Sequence, residues 1–181
     1  MAQRLDKEKI HEFFSLLDTE IDKEIEQPSV KFVLIAVGGT SLTLRNIKPS
    51  TKDVDFMVSE IEVSRIKKYS LKISEKNKIK IDLWQSPHIF STSLLNDYTC
   101  ELYPKKYKHF DVKLINLIDN AVSKLARFNE ADREDIDSIL KTGIKTSNIV
   151  ERFNATLAHD GFANKEDAAR NLEMFKKLYD A

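Results

Sequence analysis

A six-residue apolar run, Phe32-Val-Leu-Ile-Ala-Val37, stops at Gly38-Gly39. A run of this length is too short for a buried helix and predicts a buried strand. The glycine pair ends the strand and clears side chains from the backbone, so that a ligand can come close. Thr40 and Ser41 supply hydroxyls and a helix cap, and Leu42, Leu44 and Arg45 fit a short helix. A glycine turn feeding a helix start suits a phosphate, because its N–H groups are unpaired and its dipole end is positive. Pro49-Ser50-Thr51 breaks that helix, and a second strand begins at Asp53.

Side chains alternate between faces on a strand, so Asp53 and Asp55 share one face while Val54, Phe56 and Val58 share the other. Paired carboxylates a short loop away from a phosphate-type turn suit a hard divalent cation carrying a nucleotide. A third acid stands in Lys78-Ile-Lys-Ile-Asp82-Leu-Trp84, where residues 79, 81 and 83 face one way and Asp82 the other. If this strand lies beside the first acidic strand, three carboxylates converge. The competing reading makes Asp53 and Asp55 two solvated acids on an open face. Aspartate is a poor strand former, which makes two in alternation hard to explain without a purpose.

The order of these pieces, G-G-T, then D-x-D, then a strand carrying I-D-L, resembles the DNA-polymerase-β-like nucleotidyltransferase superfamily, and within it the abortive-infection (AbiEii-like toxin) branch. In that branch a later helix carries a lysine and an acidic segment follows. The matching text here is Ala121-Val-Ser-Lys124-Leu-Ala-Arg-Phe128 and then Asp132-Arg-Glu-Asp135-Ile136, so the likeness spans about residues 32 to 140. The family shows arginine-aspartate where this chain has Ala131-Asp132, a departure in the last acidic segment. The resemblance implies magnesium- or manganese-dependent transfer of a nucleoside monophosphate from a nucleoside triphosphate to a hydroxyl of an RNA or a protein. It makes Asp53, Asp55 and Asp82 the metal ligands and catalytic acids. Gly38, Gly39, Thr40, Lys124 and Asp135 become the nucleotide-binding residues. A role as the toxin of a two-component immunity system, with a cognate antitoxin as partner, is compatible with that chemistry. A catalytically silent scaffold that binds nucleic acid or a partner protein is the alternative, and three retained, mutually repelling acids speak against it.

Composition narrows the class. In 181 residues Lys+Arg and Asp+Glu both number 29, a balance that argues against wholesale polyanion binding while allowing a local basic patch. The single cysteine, Cys100, forms no internal disulfide, and no apolar run reaches membrane-spanning length. A cytoplasmic protein without membrane association is expected. Lys124 falls beside Ala121 and Phe128 on the apolar side of its helix, either as a helix-surface lysine or as a point charge aimed into a cleft. Asp132 and Asp135 also suit the first turn of a helix. The segment Tyr103-Pro-Lys-Lys-Tyr-Lys-His-Phe110 interleaves cations with aromatics, as an RNA-stacking surface or a solvated turn would. Trp84 stands next to the third acid, as the floor of a base pocket or as core.

Periodicity predicts a helix over residues 3–26 ending at Gln27-Pro28, and a helix over 61–69. A hairpin of strands near 71–75 and 78–84 follows, turning at Lys76-Asn77, and Ser86-Pro87 then opens a short helix. Short strands occupy 98–115, and helices run from 116 onward, with the last two at about 146–158 and 165–179. The expected fold is α/β (α+β): a mixed, mostly antiparallel sheet flanked by helices as the nucleotidyltransferase core, residues 1–115, and a helical C-terminal subdomain, residues 116–181.

Overall fold

The computed structural model describes residues 4–25 and 31–180. In chain order its elements are α1 (Lys7–Asp22), β1 (Phe32–Ala36), α2 (Gly38–Leu44), β2 (Val54–Val58), α3 (Glu60–Asn77) and β3 (Ile81–Gln85). There follow β4 (His88–Ile89), β5 (Thr92–Ser93), β6 (Cys100–Leu102), β7 (Phe110–Ile115), α4 (Leu117–Leu125), α5 (Glu130–Leu140), α6 (Thr146–Ala158) and α7 (Lys165–Tyr179). They form two compact units, one of Met1–Ser86 with Cys100–Leu114 and one of Pro87–Thr99 with Ile115–Ala181.

The first unit is a five-stranded sheet in the order β3-β2-β1-β7-β6. Its core is assembled by the apolar face of α1, where Ile10, Phe13, Phe14, Leu17 and Ile21 are buried. Phe14 meets Phe56 of β2 and Phe110 of β7 edge-on or tilted at 6.4 and 6.0 Å. Asp6 caps α1 by accepting from the Lys9 N–H at 2.9 Å. The helix therefore starts later than its periodicity suggests, and Leu5 instead bridges to Thr51. The expected stop at Gln27-Pro28 lies outside the described residues.

The expected hairpin is absent, because α3 runs through residues 71–75. Leu71-Lys-Ile-Ser-Glu75 alternates polar and apolar, but Ile66, Tyr69 and Ile73 continue a helical stripe, and these are the buried residues. Leu71, which a strand would bury beside Ile73, is left 49% exposed. Lys78, at φ 54°, closes the helix in the left-handed conformation. With α3 as a crossover helix, β3 pairs parallel to β2. β1 pairs antiparallel with β2 and parallel with β7, so the sheet is mixed, with more parallel pairing than the mostly antiparallel sheet expected.

The segment 103–110 turns its aromatics inward. Tyr103, Tyr107, His109 and Phe110 are buried, and Tyr107 stacks on Phe110 at 4.7 Å. Rings so placed support the core of their own unit instead of offering stacking faces to nucleic acid.

In the second unit the helix expected after Pro87 is instead a small antiparallel pair, β4 and β5. Phe90, at φ 52°, makes the turn, and the Leu94 N–H bonds to the Pro87 carbonyl at 2.9 Å. Three helices begin at asparagine caps, with Asn116, Asn129 and Asn164 accepting from the backbone N–H groups of Ile118, Asp132 and Asp167. Val122, Leu125, Ile136, Ile139, Ile149, Phe153 and Phe175 are among its buried apolar residues. The helices α6 and α7 match the spans read from periodicity. Among the described residues no helix is long and apolar enough to cross a membrane.

Candidate active site

The parallel register of β2 and β3 sets Asp55 directly beside Asp82. Asp53 lies one residue before β2, on the same face as Asp55 by strand alternation. One carboxylate oxygen from each of the three acids lies within 4.8 Å of the others. Asp55 is 3% exposed, while Asp53 and Asp82 are half-buried. Three negative charges this close, one of them in the interior, are stable only beside positive charge.

That charge is present as Lys80. Its ammonium donates to Asp53 Oδ2 at 2.9 Å and to Asp82 Oδ2 at 3.0 Å. Hydrogen bonds to Asp53 first, and to Asp82 second, hold its pKa well above the ordinary lysine value. Lys80 is absent from the site as read from the sequence, although the alternation that places Asp82 on its face places residue 80 there too. The cluster thus already accommodates a cation, and its donors are all carboxylate oxygens, the set that magnesium and manganese prefer.

The glycine turn has two separate causes. Gly38 adopts φ 53°, the left-handed region, to turn β1 into α2. Gly39 is small because a Cβ there would lie 2.4 Å from Thr51 Oγ1, with Lys48 Nζ 3.9 Å away. The close approach at Gly39 is thus filled first by the chain itself, and Lys48 brings an ammonium to the turn that sequence reading missed.

Thr40 is fully buried. Its hydroxyl donates to the Asp53 carbonyl at 3.2 Å and accepts from the Asp55 N–H at 2.8 Å. The Val37 N–H bonds to the Asp55 carbonyl at 3.1 Å. These bonds clamp β2 and the residue before it, and with them Asp55 and Asp53, onto the start of α2, so the threonine acts on the acids through their backbone.

Lys124 and Asp135 belong to the second unit and are 3% and 4% exposed. Lys124 Nζ pairs with Asp135 Oδ2 at 2.6 Å and lies 3.7 Å from Asp132 Oδ1, which Arg127 holds at 2.6 Å. The anion that a lysine on an apolar helix face requires is therefore supplied by Asp135. Asp132 is a first-turn acid of α5, as its position suggests, while its carboxylate serves this buried network. Trp84 is half-buried and, with Lys67, Leu71 and Leu83, borders a cavity of about 260 Å³ that reaches Asp82.

The model of a family described as "Nucleotidyltransferase of unknown function (DUF6036)" matches residues 12–176. The chain belongs to this family. The match covers both units, so the acids of the first and the Lys124 network of the second are parts of one nucleotidyltransferase family chain. No curated protein and no solved structure matches the chain.

Proposed function

We propose that the protein transfers a nucleoside monophosphate from a nucleoside triphosphate to a hydroxyl on an RNA or a protein. The observation that carries this reading is the convergence of Asp53, Asp55 and Asp82 within 4.8 Å, in a chain of a nucleotidyltransferase family. Asp53, Asp55 and Asp82 would hold the metal, with the buried Asp55 as the fixed point and the two half-exposed acids reaching toward solvent. Bound magnesium or manganese would neutralise the triphosphate and favour in-line displacement at its α-phosphorus. The Asp82 carboxylate, at the edge strand of the sheet, accepts the proton of the attacking hydroxyl. The hydroxyl oxygen bonds to the α-phosphorus as the bond to the β-phosphate oxygen breaks, and pyrophosphate leaves.

The resemblance would place the β- and γ-phosphates at the Gly38-Gly39 turn, with the Lys48 ammonium adding charge beside it. Thr40 contributes by fixing Asp53 and Asp55. In the second unit a nucleotide-binding role for Lys124 and Asp135 rests on the resemblance of this segment alone, since the two side chains pair with each other. The abortive-infection branch and a toxin role rest on the resemblance too, and would show as slowed growth on expression, relieved by Asp82→Asn.

The test incubates the full chain with α-32P-labelled triphosphates, magnesium and total cellular RNA, and looks for label in RNA and in protein. Label in either, lost with EDTA and with Asp55→Asn, supports the reading. No label with any of the four triphosphates, or label equal in Asp55→Asn, refutes it.

A further inference from the structure

Lys80, one residue before the edge strand β3, is placed unusually for an exposed lysine. One ammonium bridges two different carboxylates, at 2.9 Å to Asp53 and 3.0 Å to Asp82, within the cluster assigned to the metal. Its backbone is fixed, since the Val54 N–H bonds to the Lys80 carbonyl at 2.9 Å. Its side chain is 65% exposed, so the stem can leave for water without opening a cavity. We propose that Lys80 is a tethered counter-ion, which holds Asp53 and Asp82 together in the empty protein and is displaced when a divalent cation enters. This rests on the metal reading of the three acids.

The physical case turns on what the acids do without metal. Carboxylates within 4.8 Å repel one another, and Asp55 is locked in place by the hydrogen bond of its N–H to Thr40. Without a cation the two outer side chains would swing apart, and each metal-binding event would have to reassemble them. The ammonium removes that repulsion at the two outer acids. A divalent ion carries twice the charge and has all three carboxylates within reach, so it can win the exchange, though it must first overcome the ammonium. Lys80 is therefore a positioning residue. It keeps the ligand geometry ready and lowers the affinity for free metal, which favours loading by a metal that arrives with its triphosphate.

Removing the ammonium should therefore tighten the binding of free metal. Two exposed charged pairs, taken together, correspond to about 3- to 30-fold in affinity. The experiment is calorimetric titration of Mn2+ into the full chain and into Lys80→Met, Lys80→Gln, Lys80→Arg and Asp53→Asn/Asp55→Asn, with circular dichroism confirming each fold. Lys80→Met and Lys80→Gln should bind Mn2+ about 3- to 30-fold more tightly, and Lys80→Arg close to the parent. The metal-free melting temperature of Lys80→Met should fall while its rise on adding Mn2+ grows. Unchanged or weaker Mn2+ binding in Lys80→Met overturns the inference and leaves the metal reading standing, provided the double aspartate variant binds none. Absence of Mn2+ binding in the parent and in Lys80→Met alike overturns both.

Discussion

Replacing Lys124 by methionine should destabilise the helical unit severely, and replacing Asp135 by leucine in the same chain should restore it. Lys124, Asp132 and Asp135 are 3%, 2% and 4% exposed, so none of their charges is screened by water. Removing the ammonium leaves Asp132 with Arg127 at 2.6 Å but takes from Asp135 the opposite charge at 2.6 Å. Breaking a buried pair from one side costs about 3–5 kcal/mol, a large part of the roughly 5–15 kcal/mol that holds a domain folded. Converting both partners to apolar residues of similar size is about neutral, or stabilising by roughly 1–4 kcal/mol, because the desolvation of two charges is recovered. Urea unfolding of the parent, the two single variants and the double variant forms the cycle. Circular dichroism follows the helices of both units, and the fluorescence of Trp84, the one tryptophan, follows the sheet unit alone. The dichroism transition should move and the fluorescence transition should move less. A Lys124→Met cost below about 1 kcal/mol, or effects that simply add, would refute a buried, mutually dependent pair.

Thr40→Val keeps the shape but leaves the Asp55 N–H without its acceptor at 2.8 Å, so it should cost about 1–3 kcal/mol and weaken Mn2+ binding, read by thermal melts with and without the metal. Gly39→Ala should destabilise by about 1–3 kcal/mol, because the 2.4 Å approach to Thr51 Oγ1 outweighs the roughly 1 kcal/mol by which alanine favours a helix. Adding Thr51→Ala should recover part of that loss in the same melts, and no recovery would place the strain elsewhere. Burial, with Lys105 adding to it, holds the His11 imidazole below its ordinary 6.5, next to the Tyr103 hydroxyl at 2.8 Å. The unfolded chain then takes up a proton that the folded chain refuses, so stability should fall as pH drops below 6.5. His11→Gln should flatten the difference in melting temperature between about pH 7.5 and about pH 5.5, and an unchanged difference would rule His11 out as its source.

The acidic strands were legible because their signals are local. Alternation alone sets Asp53 and Asp55 on one face, and a six-residue apolar run ending in glycine can be little other than a buried strand turning sharply. The helices of the second unit were legible from their apolar periodicity, while the asparagine caps that start three of them emerged only in the structure. Residues 71–75 were misread because five residues alternating in polarity satisfy both periods. Packing of Ile66, Tyr69 and Ile73 in the core chose the helix. The consequence reached the site: a crossover helix makes β3 parallel to β2, and that register sets Asp82 beside Asp55.

What the chain determined by itself is therefore the residue types and their spacing: a glycine turn, two acids on one strand face, a third on another strand, and a lysine on an apolar helix face. Partner choice belonged to the tertiary structure, because an ion pair or hydrogen bond joins residues whose separation in sequence carries no information about distance. Fifteen positions separate Thr40 from Asp55, and only folding turns that hydroxyl into the clamp of the acidic strand. In the same way folding gave Lys124 to Asp135 and set Lys80 between Asp53 and Asp82, since each charge buried or crowded by the fold must find its counter-charge within a few ångströms.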